Sequence, residues 1–178
     1  MRKLDYLLHT SIGNYKRYLN RYYNRFDFQI VQETYSKTSM PLEEKRRFQQ
    51  KLDEYMRSNN RKAFHGPIVL QLDFFPKRRK PPSIYKLAKN YIDLMYPRET
   101  RKIRLPMKDD RQISILIVNY HVQEENEEHL TRLTIAPMRD FMKDLKLYEI
   151  IRSGSGFSED DGYMFYDVDN LISSVRKG

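Results

Sequence analysis

Between Gly66 and Tyr96 the hydrophobic period of the chain changes from two to 3.6, and that switch constrains the fold more than any other feature. Ile68, Leu70, Leu72 and Phe74 alternate with Val69, Gln71 and Asp73, the pattern of a strand with one face in a core. Asp73 falls on the face turned away from that core. Pro76-Lys-Arg-Arg-Lys-Pro-Pro then breaks the strand, and Ser83 stands where a helix N-cap is needed. Ile84, Leu87, Ala88, Tyr91 and Met95 follow at helical spacing, while Tyr85, Lys86, Lys89, Asn90 and Asp93 gather on the opposite side. A strand feeding a polar-faced helix predicts an α/β fold, a small mixed sheet with flanking helices.

The flanking sequence supplies the other elements. Phe26 to Gln32 alternates as a strand does. Ser39 to Pro41 opens a helix, with Glu43 and Glu44 near the positive end of its dipole. Phe48, Leu52, Tyr55 and Met56 make its apolar stripe, ending near Asn59-Asn60. Ile113 to Val122 is apolar on both faces, which predicts a central strand. The acidic run Glu124 to Glu128 connects it to Leu130–Ile135, most simply as an antiparallel hairpin. Pro137 opens a helix carrying Met138, Phe141, Met142, Leu145 and Tyr148, and an acidic Gly/Ser loop precedes Tyr163 to Val175. The organisation is an aromatic, basic segment over 1–37, a core over 38–136, and a helix with an acidic extension over 137–178.

Several chemistries are excluded. The 178 residues contain no cysteine, so disulfides, thiolate zinc sites and cysteine nucleophiles are absent. His9, His65, His121 and His129 lack the i, i+4 spacing of helical zinc sites, and the six glycines form no phosphate-binding loop. The longest apolar run, Ile115 to Val118, is far short of the ~18–20 residues of a membrane span. No signal-peptide pattern stands at the N-terminus, and a cytoplasmic location is expected.

Charge is unevenly placed on this basic chain, whose formal net charge is +9. Residues 76–111 hold 12 Lys/Arg against 4 Asp/Glu, and residues 121–170 hold 5 against 12. A basic segment of that density attracts nucleic-acid phosphates by releasing their condensed counterions. A solvated surface that only maintains solubility is the plainer alternative, and the clustering favours nucleic acid.

Two short motifs carry a resemblance. Lys108-Asp109-Asp110-Arg111-Gln112-Ile113 precedes the third strand, and Pro82-Ser83-Ile84-Tyr85-Lys86-Leu87-Ala88-Lys89 opens the polar-faced helix. In this order and context, residues 38–136 resemble the RusA-like Holliday junction resolvases, small dimeric α/β endonucleases of phages and prophages. That family's second motif reads Lys-Asp-Asp-x-Gln-Ile, complete here. Its first reads Pro-Asp-Ile-Asp-Asn-Leu-x-Lys, and here both aspartates are replaced, by Ser83 and Tyr85, and the asparagine by Lys86.

The resemblance implies a homodimer acting on branched DNA in a bacterial host, with Mg²⁺ as the cofactor of an active enzyme. Asp109 and Asp110 would be residual catalytic residues and weak metal ligands, since Mg²⁺ can be held through one or two carboxylates with waters and substrate phosphates. Lys89 would face the scissile phosphate. Lys77, Arg78, Arg79, Lys80, Lys86, Arg101, Lys102 and Arg104 would grip the backbone, positioning DNA without reading its bases. Tyr85 could stack on an unpaired base, but filling the space of a lost metal is the expected role. Asp73 and Asp93 are the replacement carboxylates to consider, although Asp93 lies ~15 Å along the helix from Ser83. Three functions compete: a protein with a degraded nuclease site that binds branched DNA or a protein partner, an active Mg²⁺-dependent junction endonuclease with altered ligands, and a regulatory protein binding a host or phage factor through residues 137–178.

Overall fold

The computed structural model describes residues 16, 17, 19–21, 25–77, 80–97, 103–122 and 128–152. In chain order they form β1 (Phe26–Val31), α1 (Leu42–Ser58), β2 (Ile68–Phe75), α2 (Ile84–Leu94), a 3₁₀ turn (Asp110–Gln112), β3 (Ile113–Tyr120), β4 (Leu130–Pro137) and α3 (Met138–Arg152). The sheet is mixed, ordered β1-β4-β2-β3. β4 runs antiparallel to both β1 and β2, and β3 runs parallel to β2. The strand β1 therefore comes from within residues 1–37 and belongs to the same sheet as the rest.

Two expectations about β3 are corrected. It does not form a hairpin with β4, and it is not central. Joining β2 to β3 through α2 is a strand–helix–strand crossover, whose outcome is parallel pairing. β4 instead inserts between β1 and β2, where Thr131, Leu133 and Ile135 turn into the core. Among the described residues, the strand that reads as most central thus lies at the sheet edge.

One face of the sheet carries the core. Phe26, Phe28, Ile30, Leu70, Leu72, Phe74, Leu133 and Ile135 meet Phe48, Leu52 and Met56 of α1 and Leu87, Tyr91 and Leu94 of α2. Edge-to-face rings join the layers: Phe28 to Phe48 at 5.9 Å and Phe48 to Tyr91 at 5.2 Å, with Phe74 tilted onto Tyr91 at 5.2 Å. The stripes predicted for α1 and α2 are largely the buried ones. Ile84 is the exception, exposed at the first turn, and Asn90 is fully buried rather than on the polar face. Its side-chain amide donates to the Tyr35 carbonyl at 2.8 Å and so ties α2 to the β1–α1 connection. Ser83 occupies the N-cap position without a side-chain cap bond. On the other side of the sheet, the Arg132 guanidinium forks onto Asp27 at 2.8 and 2.5 Å, and that hydrogen bonding holds the Asp27 carboxyl below the usual range.

Burial pushes the Tyr91 hydroxyl up to about 12. Between about pH 10 and 12 the folded protein keeps this proton while the unfolded chain releases it, so stability falls as pH rises through that window. At about 1.4 kcal/mol per pH unit the loss approaches ~3 kcal/mol. Urea unfolding at about pH 9 and about pH 11.5 should show this fall, and Tyr91→Phe should flatten it. An equal alkaline loss in both proteins would assign it to other groups.

Candidate functional site

The Asp109–Gln112 segment is a built turn. Asp109 caps it: its Oδ1 accepts the Arg111 amide at 2.9 Å, and the Asp109 amide donates to Gln112 Oε1 at 3.3 Å. Gln112 is the pin. Its Oε1 also accepts the Lys108 amide at 2.7 Å, while Nε2 donates to the carbonyls of Phe64 and Gly66 at 2.9 and 3.1 Å. Gly66 adopts φ 76°, a left-handed conformation that glycine takes without a Cβ clash. The glutamine thereby fastens the acidic turn to the chain entering β2. Asp109 and Asp110 stand side by side at the surface, with Asp109 half-exposed and Asp110 exposed. The Arg111 amide, then a hydrogen bond with the Asp110 side chain, holds the Asp109 carboxyl below its ordinary value.

A single chain does not bring the two motifs together. The Met107 amide donates to the Met95 carbonyl at 3.2 Å, which sets the loop before the Asp pair at the C-terminal end of α2. Ser83, Tyr85 and Lys86 stand at the other end, some 16 Å away along an 11-residue helix. Lys89 lies between them, exposed. Two neighbouring carboxylates do not by themselves fit a firmly held Mg²⁺, and no group of three or more His, Asp or Glu residues able to hold a metal occurs among the described residues.

The replacement carboxylates are engaged elsewhere. Asp93 takes Lys37 Nζ at 2.9 Å and the Tyr96 hydroxyl at 3.2 Å. Asp73 faces away from the main core, as its place in the alternation predicts, yet is only 6% exposed. Its carboxylate accepts Gln71 Nε2 at 2.9 Å and Asn119 Nδ2 at 2.8 Å, and His121 Nε2 lies 3.2 Å away. His121 stacks on Phe75 with centroids 4.2 Å apart. This cluster sits near the C-terminal ends of the parallel strands, where ligands gather in open α/β sheets. Sequence reasoning missed it because Asp73 and Asn119 become neighbours only when β2 and β3 pair in parallel.

Tyr85 is 70% exposed and fills no internal space. Lys77, Lys80 and Lys86 are exposed along the β2–α2 connection and the start of α2. Arg104 lies at the opposite end, its amide donating to Asp53 at 2.6 Å. Arg78, Arg79, Arg101 and Lys102 lie outside the described residues. No helix among the described residues is long and apolar enough to cross a membrane. Neither a protein-family model nor a curated protein matches the chain.

Proposed function

We propose that this chain is a phage or prophage DNA-binding protein of RusA-like type with a degraded nuclease site, acting in the bacterial cytoplasm by binding branched DNA. The observation that carries the reading is the exposed row Lys77, Lys80, Lys86 and Lys89, set on the connection and helix where the resemblance expects phosphate contacts. The loss of acid is its second support: Ser83 and Tyr85 stand where two aspartates are expected, and Asp93 and Asp73 already have partners. Tyr85, projecting from the start of that helix, suits stacking on an unpaired base.

With a synthetic four-way junction, the expected result is a mobility shift without cleavage in Mg²⁺ or Mn²⁺. If about six phosphates are neutralised, log K falls with log[salt] at a slope of roughly −5. Changing Lys77, Lys80, Lys86 and Lys89 together to Gln should weaken binding uniformly and make that slope shallower by about 1 for each phosphate no longer neutralised. Absence of any shift at low salt overturns the reading. Symmetrical nicking that vanishes in Asp110→Asn replaces it with the active endonuclease.

A regulatory reading draws on α3, where Met142 and Leu145 of the predicted stripe are about 40% exposed. Deleting residues 137–178 should then abolish capture of a specific, saturable protein while DNA binding persists. A marked fall in thermal stability would instead show that the helix serves the sheet.

A further inference from the structure

At the C-terminal ends of β2 and β3 one imidazole is held from three directions and still faces solvent. The His121 amide donates to the Phe74 carbonyl at 2.9 Å. Its ring lies flat on Phe75, with 4.2 Å between centroids and 6° between planes. Nε2 stands 3.2 Å from Asp73 Oδ1, and because a carboxylate only accepts, Nε2 carries the proton. Asp73 is itself fixed by the Gln71 and Asn119 amides. The imidazole therefore has one orientation, yet its side chain is 43% exposed. With one face on Phe75 and one edge on Asp73, the exposed part is the opposite face and the Nδ1 edge. Among the described residues no second ring covers that face.

We propose that this face is a stacking platform for one unpaired nucleobase, whose neighbouring phosphates are held by Lys77 and Lys80. The proposal rests on the nucleic-acid reading above and names the part of the ligand that this end of the sheet takes. A ring already fixed on both its partners accepts a further flat ring without losing rotamer freedom, which lowers the cost of binding. The position agrees with the rule that open α/β sheets bind ligands at the C-terminal ends of their parallel strands.

Charge selects a nucleotide over an uncharged aromatic ligand. Lys77 follows Phe75 by two residues, about 7 Å along the chain, and both lysines are exposed without an acidic partner among the described residues. The Lys77 amide donates to Glu33 Oε2 at 3.3 Å, which fixes where the basic connection leaves the sheet. The acidic run that begins at Glu124 follows His121 closely in the chain. It selects against a duplex, which carries one phosphate charge per ~1.7 Å against one per ~3.4 Å for a single strand. Stacking reads no base identity, since every base has a π-face. The platform therefore takes unpaired nucleotides of any sequence.

The test uses the full chain with fluorescent probes: a single strand of about 12 thymidines, within the usual range of single-strand site sizes, a blunt duplex of the same length, and a four-way junction. His121→Ala should lower the ratio of single-strand to duplex affinity about tenfold, the effect of losing one stacked base. Its salt slope should stay that of the unchanged protein, because no phosphate contact is removed. His121→Phe keeps a ring against Phe75 and should restore the affinity to within about threefold. A strand carrying 4-thiothymidine, irradiated on the unchanged protein, should cross-link at His121 or Val122, as located by mass spectrometry, and this result decides even where the alanine variant fails to fold. Cross-links at Tyr85 alone place the base at the start of α2 and overturn the inference. So does an equal loss in the alanine and phenylalanine variants, which would mean that His121 acts by partnering Asp73. A protein that shifts the junction but not the single strand overturns the inference and leaves the nucleic-acid reading standing. No binding of any probe at low salt overturns both.

Discussion

Phe48→Ala should remove about 3–5 kcal/mol of stability, the range for truncating a buried aromatic ring. Phe48 is wholly buried on α1 and is the ring through which the two helices and the sheet meet, touching Phe28 of β1 and Tyr91 of α2 edge-on. The loss combines transfer of the ring, the cavity left beside Leu52 and Tyr91, and two aromatic pairings worth ~0.5–1.5 kcal/mol each beyond their area. For a domain of this size each kcal/mol lowers the midpoint by roughly 2–4 °C, so a fall near 10 °C is expected in thermal unfolding. Phe48→Leu should cost markedly less, because it retains most of the volume. A loss under ~1 kcal/mol for the alanine variant would mean that α1 does not close this face of the sheet.

What was legible in the sequence was local. Phe48, Leu52 and Met56, like Leu87, Ala88 and Tyr91, repeat at the helical period, and periodicity is set by the chain's own geometry before any partner is chosen. The alternation of β2 is equally self-contained. Pairing is not: β3 and β4 are adjacent in sequence and carry an ordinary connecting run, and only the competition for a place beside β2 decides between hairpin and crossover. β3 won the parallel position through α2, and β4 took the interior one. Asn90 shows the same limit at one residue. A polar side chain on a helix reads as solvent-facing until the backbone carbonyl of Tyr35 is brought to it.

The candidate site divides along the same line. The turn from Lys108 to Ile113 could be read because its hydrogen bonds are mostly internal, with Gln112 accepting two amides from within four residues. Its relation to Ser83 could not be read, because the sequence places two motifs in order without stating that α2 separates them by its whole length. The alternation of β2 turns Asp73 away from the core, as the structure does, but carries no sign of its burial. Burial on that face depends on Asn119 and His121, which parallel register supplies from 46 and 48 residues away.

Asp73→Leu should therefore destabilise the protein by about 2–3 kcal/mol, although no core packing depends on its side chain. The substitution removes the buried carboxylate that accepts the half-buried Gln71 and Asn119 amides and lies beside His121, and a donor left unmade away from water costs ~1–3 kcal/mol. Asp73→Asn keeps the volume but offers an N–H to groups that already donate, so it should recover only part of the loss. The informative comparison is the double variant Asp73→Leu with Asn119→Leu, in which carboxylate and principal donor disappear together. Replacing both partners by apolar groups is far less costly than removing one, and the double variant should be more stable than the sum of its single changes by at least ~0.5 kcal/mol. Urea unfolding of the four proteins measures that coupling. Strict additivity would show that the Asp73 carboxylate is satisfied independently of Asn119, and that the β2–β3 pairing does not rely on this bond. Coupling of the expected sign would establish the carboxylate as a cross-strand clamp that fixes the parallel register, holding His121 against Phe75 at the end of the sheet from which the basic connection departs.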